Sequence, residues 1–267
     1  MLRAPLSRSW RIGLGATAFL VLIGGYSVLS YRQQQENPND RSVPSLGQLW
    51  SDGVVKVVTP DTKGDIWLWE DALSTFVFRL FPGLTIGVLV SIVAGILMGC
   101  YTPVEAFLLP PLAFLAKIPP TAMLAVFFIM VGTSNPMFIT MISFGVVPVL
   151  AQTVYHAAKE DVPAELLNKA YTLGASQFEC VWNVVYRHIL PRLLDGVRLQ
   201  IGPAMVYLVA AEYIVAQVGF GFHIRMQQRL LDMSVVYVYL IVLGAAGFGL
   251  DYLLIRIRRS LCPWYGH

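Results

Sequence analysis

The stretch that decides the fold of this chain is NKAYTLGAS, residues 168–176, inside a polar insert between two long apolar segments. Pro191 ends an Ile-Leu-Pro sequence further along the same insert. Pro163 can start a short amphipathic helix there, and Gly174 can end it in a left-handed cap. Such a helix can fill a groove on a partner protein or lie along the membrane surface. The insert itself belongs outside the lipid, where its polar groups remain solvated.

The composition places the chain in a membrane. Of its 267 residues, 56% are hydrophobic and 13% are charged, and the mean hydropathy is +0.63, whereas soluble domains contain about 25% charged residues. The net charge of +3 comes from scattered basic residues without a stripe, so we expect no nucleic-acid partner. The chain has no Gly-x-x-x-x-Gly-Lys-Ser/Thr sequence, so it does not carry its own nucleotide-binding loop.

The apolar segments predict an all-α integral membrane protein with six transmembrane helices, since each span needs about 20 apolar residues. We expect the first to be a retained helix, although a cleaved signal peptide is the alternative. Two Pro-Pro pairs interrupt the third span, at 110–111 and 119–120. The predicted parts are an amino-terminal helix (1–31), an extracytoplasmic segment with an interfacial helix at 67–76 (32–79), a five-helix domain (80–258) that contains the insert (157–192), and a tail (259–267).

Basic residues orient the chain. With the amino terminus inside, more Lys and Arg residues fall on the side of the insert than on the opposite side, and arginines flank both termini on that side. The positive-inside rule then places the insert in the cytoplasm. Cys100, Cys180 and Cys262 fall on this side, where thiols stay reduced. We therefore expect no disulfide, metal or cofactor.

A stripe of small residues follows one face of the second span, because every fourth residue is Gly or Ser. Its members are Gly83, Gly87, Ser91, Gly95 and Gly99. Small residues let helix backbones approach closely in lipid. The stripe predicts tight packing against a helix of the same chain or of another subunit.

Glu212 is an ionisable residue inside an apolar span. A charge at that depth costs about 2.5–3.5 kcal/mol on insertion scales, so it faces protein or water and has a partner. It either lines a path through the membrane or forms a structural ion pair. Lys117 is the favoured partner, with a snorkelling lysine as its alternative role. Gln200 and Tyr207 are polar neighbours of Glu212 on its span, and no group of residues has a catalytic arrangement.

Residues 168–176 and Pro191 resemble the cytoplasmic coupling loop of ABC-importer permeases, in which Glu-Ala-Ala and a later Gly precede Ile-x-Leu-Pro. Further blocks look like the nitrate/sulfonate/taurine/bicarbonate group of these permeases over about 70–258. The chain departs from the pattern at Asn168, where the Glu is missing although Glu165 lies one turn earlier, and in its longer outer segment at 32–64. The matching blocks are 71–79, Gly99, 117–122, 168–176, 196–202, 210–212 and 218–221.

The resemblance implies the permease subunit of a type I, binding-protein-dependent importer in a bacterial inner membrane. Two copies of the chain would bind two cytoplasmic ABC ATPase subunits, which hydrolyse the ATP, and an extracytoplasmic solute-binding protein. The implied translocation path contains Glu212, Lys117, Gln200 and Tyr207. The implied coupling residues are Glu165, Asn168, Lys169, Ala170, Gly174, Ala175, Ser176 and Pro191.

The solute is not named by the sequence. Small oxyanions (nitrate, sulfonate or taurine, bicarbonate) rank first by resemblance. An importer of a urea- or guanidinium-like solute is an alternative, because the acidic Glu212 suits a cation or a neutral solute better than an anion. A secondary transporter without an ATPase is the other alternative, although such proteins usually have internal repeats and several intramembrane charges.

Overall fold

The computed structural model describes residues 7–36, 42–61 and 64–265, and all regular structure in these ranges is helical. Several helices contain wide π turns, and a 3₁₀ turn, Pro120–Met123, precedes the fifth helix. In chain order the helices are α1 (Arg8–Glu36), α2 (46–58), α3 (Trp67–Cys100), α4 (Thr102–Leu115), α5 (Leu124–Val131), α6 (Asn135–Asp161), α7 (Ala164–Thr172), α8 (Gln177–Val215), α9 (Phe220–Arg229) and α10 (Met233–Leu261).

Within these ranges, five helices are long and apolar enough to cross a membrane: α1, α3, α6, α8 and α10. A bend of 82° joins α4 to the segment that contains α5, and this pair passes the same test as one broken span. Pro119 is extended at the break, where prolines cannot continue a helix. Gly83 contacts Ile142 and Gly99 contacts Ala158, so α3 and α6 run in the same direction. The chain must therefore cross the membrane once between them, and the broken span supplies that crossing. The prediction of six spans is thus confirmed.

Two helix boundaries differ from the sequence prediction. α3 begins at Trp67 and runs without a break to Cys100, whereas the sequence predicts a separate interfacial helix before a span at 80. The sequence prediction rests on Trp67, Trp69 and Phe76 interleaved with Glu70 and Asp71, and in the structure Asp71 is buried against polar partners inside the protein. Likewise α8 begins at Gln177, so the second half of the insert is the extension of a span.

The chain forms two compact units. The first contains α1, α2 and Ile224–Leu240, and the second contains Leu68–His223 and the residues from Ile241 onward. The apolar core of the second unit surrounds α6, where Met141, Ile142 and Leu150 are completely buried. This core fixes the relative positions of α3, α6 and α8.

The stripe of small residues packs against α6 of the same chain. A Cβ atom added at Gly95 would lie 2.5 Å from Cβ of Val154, and one added at Gly99 would lie 2.5 Å from Cβ of Ala158. Neither distance is possible between real carbon atoms, so only glycine permits this approach. The hydroxyl of Ser91 donates to the carbonyl of Gly87 at 2.6 Å. The two backbones therefore pack as one rigid pair.

Candidate functional site

The insert contains a short capped helix, α7. Two backbone hydrogen bonds close its carboxyl end: Gly174 N–H donates to the carbonyl of Tyr171 at 2.9 Å, and Ala175 N–H donates to the carbonyl of Ala170 at 3.0 Å. This is a Schellman cap, and Gly174 supplies the left-handed residue with φ of 85°. Ser176 then caps α8 by accepting from Glu179 N–H. Two consecutive caps thus fix the turn between α7 and α8.

Large apolar side chains on this turn are uncovered. Leu173 is 88% exposed and Phe178 is 76% exposed. Tyr171 is half exposed, while desolvation and the neighbouring Cys180 raise its pKa. Neighbouring exposed apolar residues mark a surface that binds another protein or a membrane.

Ion pairs fix the base of the insert. Arg192 on α8 pairs with Asp161 at the end of α6. Lys159 Nζ lies 2.6 Å from a carboxylate oxygen of Glu105, which also accepts from the hydroxyl of Tyr155 at 2.7 Å. These pairs connect the end of α6 to α8 and to α4.

The predicted coupling residues occupy different environments around α7. Glu165, Asn168 and Lys169 are exposed on the helix, and Ala170 is half-buried. Pro191 lies outside this surface, buried within α8. The missing Glu of the family pattern falls at the exposed Asn168, where no internal contact of the fold depends on it.

A buried polar network lies at the opposite end of the spans from α7. Glu212 is completely buried. One of its carboxylate oxygens accepts from Arg79 Nη1 at 2.7 Å and from the Thr75 hydroxyl at 2.8 Å, and the other accepts from Gly221 N–H at 3.1 Å. Arg79 also donates to the carbonyl of Val218 at 2.8 Å. The carboxylate is therefore neutralised within the protein.

The same network also binds the start of α9. Asp71 accepts from Gly219 N–H at 2.8 Å, and its second oxygen lies 2.7 Å from His223 Nδ1. The Thr75 hydroxyl accepts from Phe220 N–H at 3.2 Å. The first N–H groups of a helix lack intrahelical partners, and here side chains of α3 and Glu212 of α8 accept from them. Asp71, Thr75, Arg79, Glu212 and His223 together form the buried network.

The predicted translocation residues do not form one site. Lys117, the partner that the sequence favours for Glu212, is exposed in the turn after α4, and Glu212 pairs with Arg79 instead. Glu212 does not face a cavity, because its side chain is completely buried. Gln200 is also buried, and Tyr207 packs so closely on α6 that a Cβ at Gly145 would lie 2.4 Å from its ring. One feature of the sequence could have identified Arg79 as a member of a polar cluster. Asp71, Thr75 and Arg79 are four residues apart, which places them on one face of a helix.

A separate groove lies beside the broken span. Its volume is about 740 Å³, and none of its lining residues is ionisable. Thr121 and Ala122 line it from the 3₁₀ turn before α5, and Gln217 lines it from the segment after α8. Phe128 and Ile214 supply apolar walls. This groove offers hydroxyl and amide groups on neutral, mostly apolar walls.

Comparison with known proteins identifies the family. Residues 87–263 match the family model described as "Binding-protein-dependent transport system inner membrane component". The chain belongs to this family. It is the permease subunit of an ABC importer and, with its apolar helices, a multi-pass protein of the bacterial cell membrane.

Relatives cover most of this permease. The taurine transport system permease protein TauC of Escherichia coli is 29% identical over 264 residues, which are 99% of this chain and 93% of TauC. The bicarbonate transport system permease protein CmpB of Synechococcus elongatus is 28% identical over 199 residues, 74% of this chain and 69% of CmpB. An inward-facing structure of the MetNI methionine ABC transporter has a similar fold, with TM-score 0.58, 21% identity and coverage of 73% of this chain and 94% of that chain.

Proposed function

We propose that two copies of this permease form the translocation path of an ATP-driven importer for a small oxyanion. α7 docks each copy on a separate cytoplasmic ABC ATPase, and a solute-binding protein delivers the solute on the other side. The observation that carries the proposal is the capped helix α7 together with the turn that joins it to α8, where the apolar side chains of Leu173 and Phe178 are exposed. Amphipathic helices of this kind typically fit a groove on a partner.

The choice of an oxyanion rests on relatives and on the groove. TauC and CmpB are named for taurine and bicarbonate, which carry a sulfonate and a carboxylate-like group. Thr121 and Ala122, in the 3₁₀ turn that leads into α5, line the groove together with Leu124 and Ala125 at the amino-terminal end of α5. A helix amino terminus carries partial positive charge, and broken helices in transporters direct it at anionic solutes.

The alternative of a urea- or guanidinium-like solute loses its support. It depends on Glu212 as a negative charge in the path, and Arg79 balances that charge inside the protein. The groove, whose lining residues are not ionisable, offers a cation no counter-charge. A neutral lining also lets an anion pass without the tight binding that would slow its release.

Transport by the reconstituted complex tests the proposal. The permease, its ATPase and its solute-binding protein are incorporated in proteoliposomes, and uptake of labelled taurine, nitrate and bicarbonate is measured with and without ATP. We expect uptake of one of these anions that requires ATP and all three proteins. Competition among the three anions identifies the solute.

Two results would contradict it. Uptake that continues without the ATPase under an ion gradient would indicate a secondary mechanism. ATP-dependent uptake of urea or guanidinium, unaffected by excess of any of the three anions, would overturn the solute class and leave the ATPase assignment intact.

A further inference from the structure

α2 has a four-residue repeat that sorts its side chains onto distinct faces. Residues 46, 50, 54 and 58 are Leu, Trp, Val and Val, whereas residues 48, 52 and 56 are Gln, Asp and Lys. In a regular α-helix, which has about 3.6 residues per turn, side chains four residues apart drift gradually around the axis. The π turn at Leu49–Val54 has more residues per turn, and this offsets the drift. Positions two residues apart in a four-residue repeat lie on opposite sides. The helix therefore has an apolar face and a polar face directly opposite each other.

The apolar face is uncovered, and the polar face has partners. Leu46, Trp50 and Val58 are all exposed, Trp50 by 67%. On the polar side, Lys56 Nζ lies 2.7 Å from a carboxylate oxygen of Asp232, and Gln48 accepts from the side chain of Gln34 at 3.0 Å. These polar residues border a cavity of about 540 Å³. Among the described residues, the contacts of α2 with Gln34 and Asp232 thus lie on its polar face, and the side chains of its apolar face are exposed.

A third face of α2, at Gly53, packs against the start of α10. A Cβ atom at Gly53 would lie 2.8 Å from the carbonyl oxygen of Ser234 and 2.7 Å from Cγ2 of Val238. Both residues belong to the first two turns of α10, which crosses the membrane. The backbone of α2 therefore touches α10 at the level where a span enters the lipid headgroups.

α1 fixes the same level independently. The hydroxyl of Tyr26 donates to the carbonyl of Pro44 at 2.6 Å, and the ring of Tyr26 makes an edge contact with Tyr237 at 5.7 Å. The hydroxyl of Ser30 donates to the carbonyl of Val43 at 3.1 Å. Two spans thus hold the segment just before α2, and two Tyr rings meet there, as aromatic side chains do at membrane surfaces.

We infer that α2 is an interfacial helix whose Leu46, Trp50 and Val58 face binds the headgroup and upper acyl region of the lipid leaflet in which α10 begins. Lipid is the occupant that fits, because the apolar face lies at headgroup depth while Asp52 and Lys56 point the other way. Helices of this pattern lie in the interface plane with the apolar face in the lipid. The inference depends on the family's membrane location and not on the solute or the ATPase.

Spin-label accessibility tests this surface in the full-length protein. Cys100, Cys180 and Cys262 are replaced by alanine, and Trp50→Cys, Val58→Cys and Asp52→Cys are labelled separately after reconstitution in phosphatidylcholine–phosphatidylglycerol vesicles. We expect labels at positions 50 and 58 to collide with oxygen several-fold more than with a water-soluble nickel complex. The label at position 52 is the matched control on the opposite face and should show the reverse ratio.

Two outcomes would overturn the inference. Labels at 50 and 58 that favour the nickel complex would expose this face to water, as a soluble partner requires. Labels that neither reagent reaches would mean that protein covers the face. Photocrosslinking from p-benzoylphenylalanine at position 50, in the chain with its native cysteines, provides an independent measurement: we expect lipid adducts, and a crosslinked dimer or protein partner would contradict the inference.

Discussion

The buried network and α7 use polar and apolar residues in opposite ways. In the network, Arg79 and Glu212 are withdrawn from water at one end of the spans, and the Glu212 carboxylate has hydrogen-bond partners at both oxygens. At the turn after α7, Leu173 and Phe178 are exposed at the other end of the spans. A group whose contacts are complete within the chain serves the fold, whereas an apolar group left uncovered in water serves a partner.

This difference separates two kinds of mutational effect. A substitution in the buried network should act on the free energy of unfolding, because it leaves a charge unpaired inside the protein. A substitution at α7 should act on transport and leave the fold intact. The sequence alone leaves both roles open for Glu212, a residue of the path or a member of a structural ion pair.

Breaking the buried pair should have the largest effect. Arg79→Met or Glu212→Gln alone leaves one partner of a desolvated pair, and such changes cost about 3–5 kcal/mol. We expect a sharp fall in folded protein, measured as the monodisperse fraction and melting temperature in detergent. Transport should fall with assembly, not independently of it.

The double variant Arg79→Met/Glu212→Leu is the matched control. Replacing both members of a buried ion pair by apolar residues is often neutral, so the double variant should recover a large part of the melting temperature lost in Arg79→Met. Single variants that fold like the wild type but fail to transport would instead return Glu212 to the translocation path.

The glycine contacts between α3 and α6 should have an intermediate effect. Gly95→Ala places a methyl group where only 2.5 Å separates it from Val154, and overpacking of this kind costs about 1–3 kcal/mol. The melting temperature of the purified permease measures it. Gly244→Ala on α10 is the control, because no atom lies within 4 Å of its added Cβ. Equal melting temperatures for the two variants would contradict the packing argument.

Much of the fold follows from the sequence because its signals are local. Apolar length predicts the spans, and the stripe from Gly83 to Gly99 predicts a close helix contact. The identity of the contacting helix and the partner of Glu212 are long-range properties that depend on which helices meet. The aromatic residues at 67–76 and the acidic residues among them indicate an interface, because the sequence does not show which distant segment buries Asp71. Asp71 meets Gly219 and His223 at the start of α9.

Changes at the surface of α7 should affect transport without affecting the fold. Leu173→Glu alters a residue that is 88% exposed, and surface substitutions usually change stability by less than about 0.5 kcal/mol. We expect an unchanged melting temperature together with loss of ATPase copurification and of ATP-driven uptake. Leu173→Met, which keeps an apolar side chain, should retain both. Normal uptake by Leu173→Glu would remove α7 from the proposed docking surface.

Cysteine labelling should disturb the protein least, because it tests only on which side of the membrane α7 lies. Cys180 cannot serve as the probe, since it is 1% exposed and would stay unlabelled on either side of the membrane. Phe178→Cys, two residues earlier and 76% exposed, is a direct probe of the insert, and Asp61→Cys probes the exposed segment before α3. In intact cells an impermeant maleimide should label Asp61→Cys and leave Phe178→Cys unlabelled until the membrane is opened. Labelling of Phe178→Cys in intact cells would reverse the topology, and with it the assignment of α7 to a cytoplasmic partner.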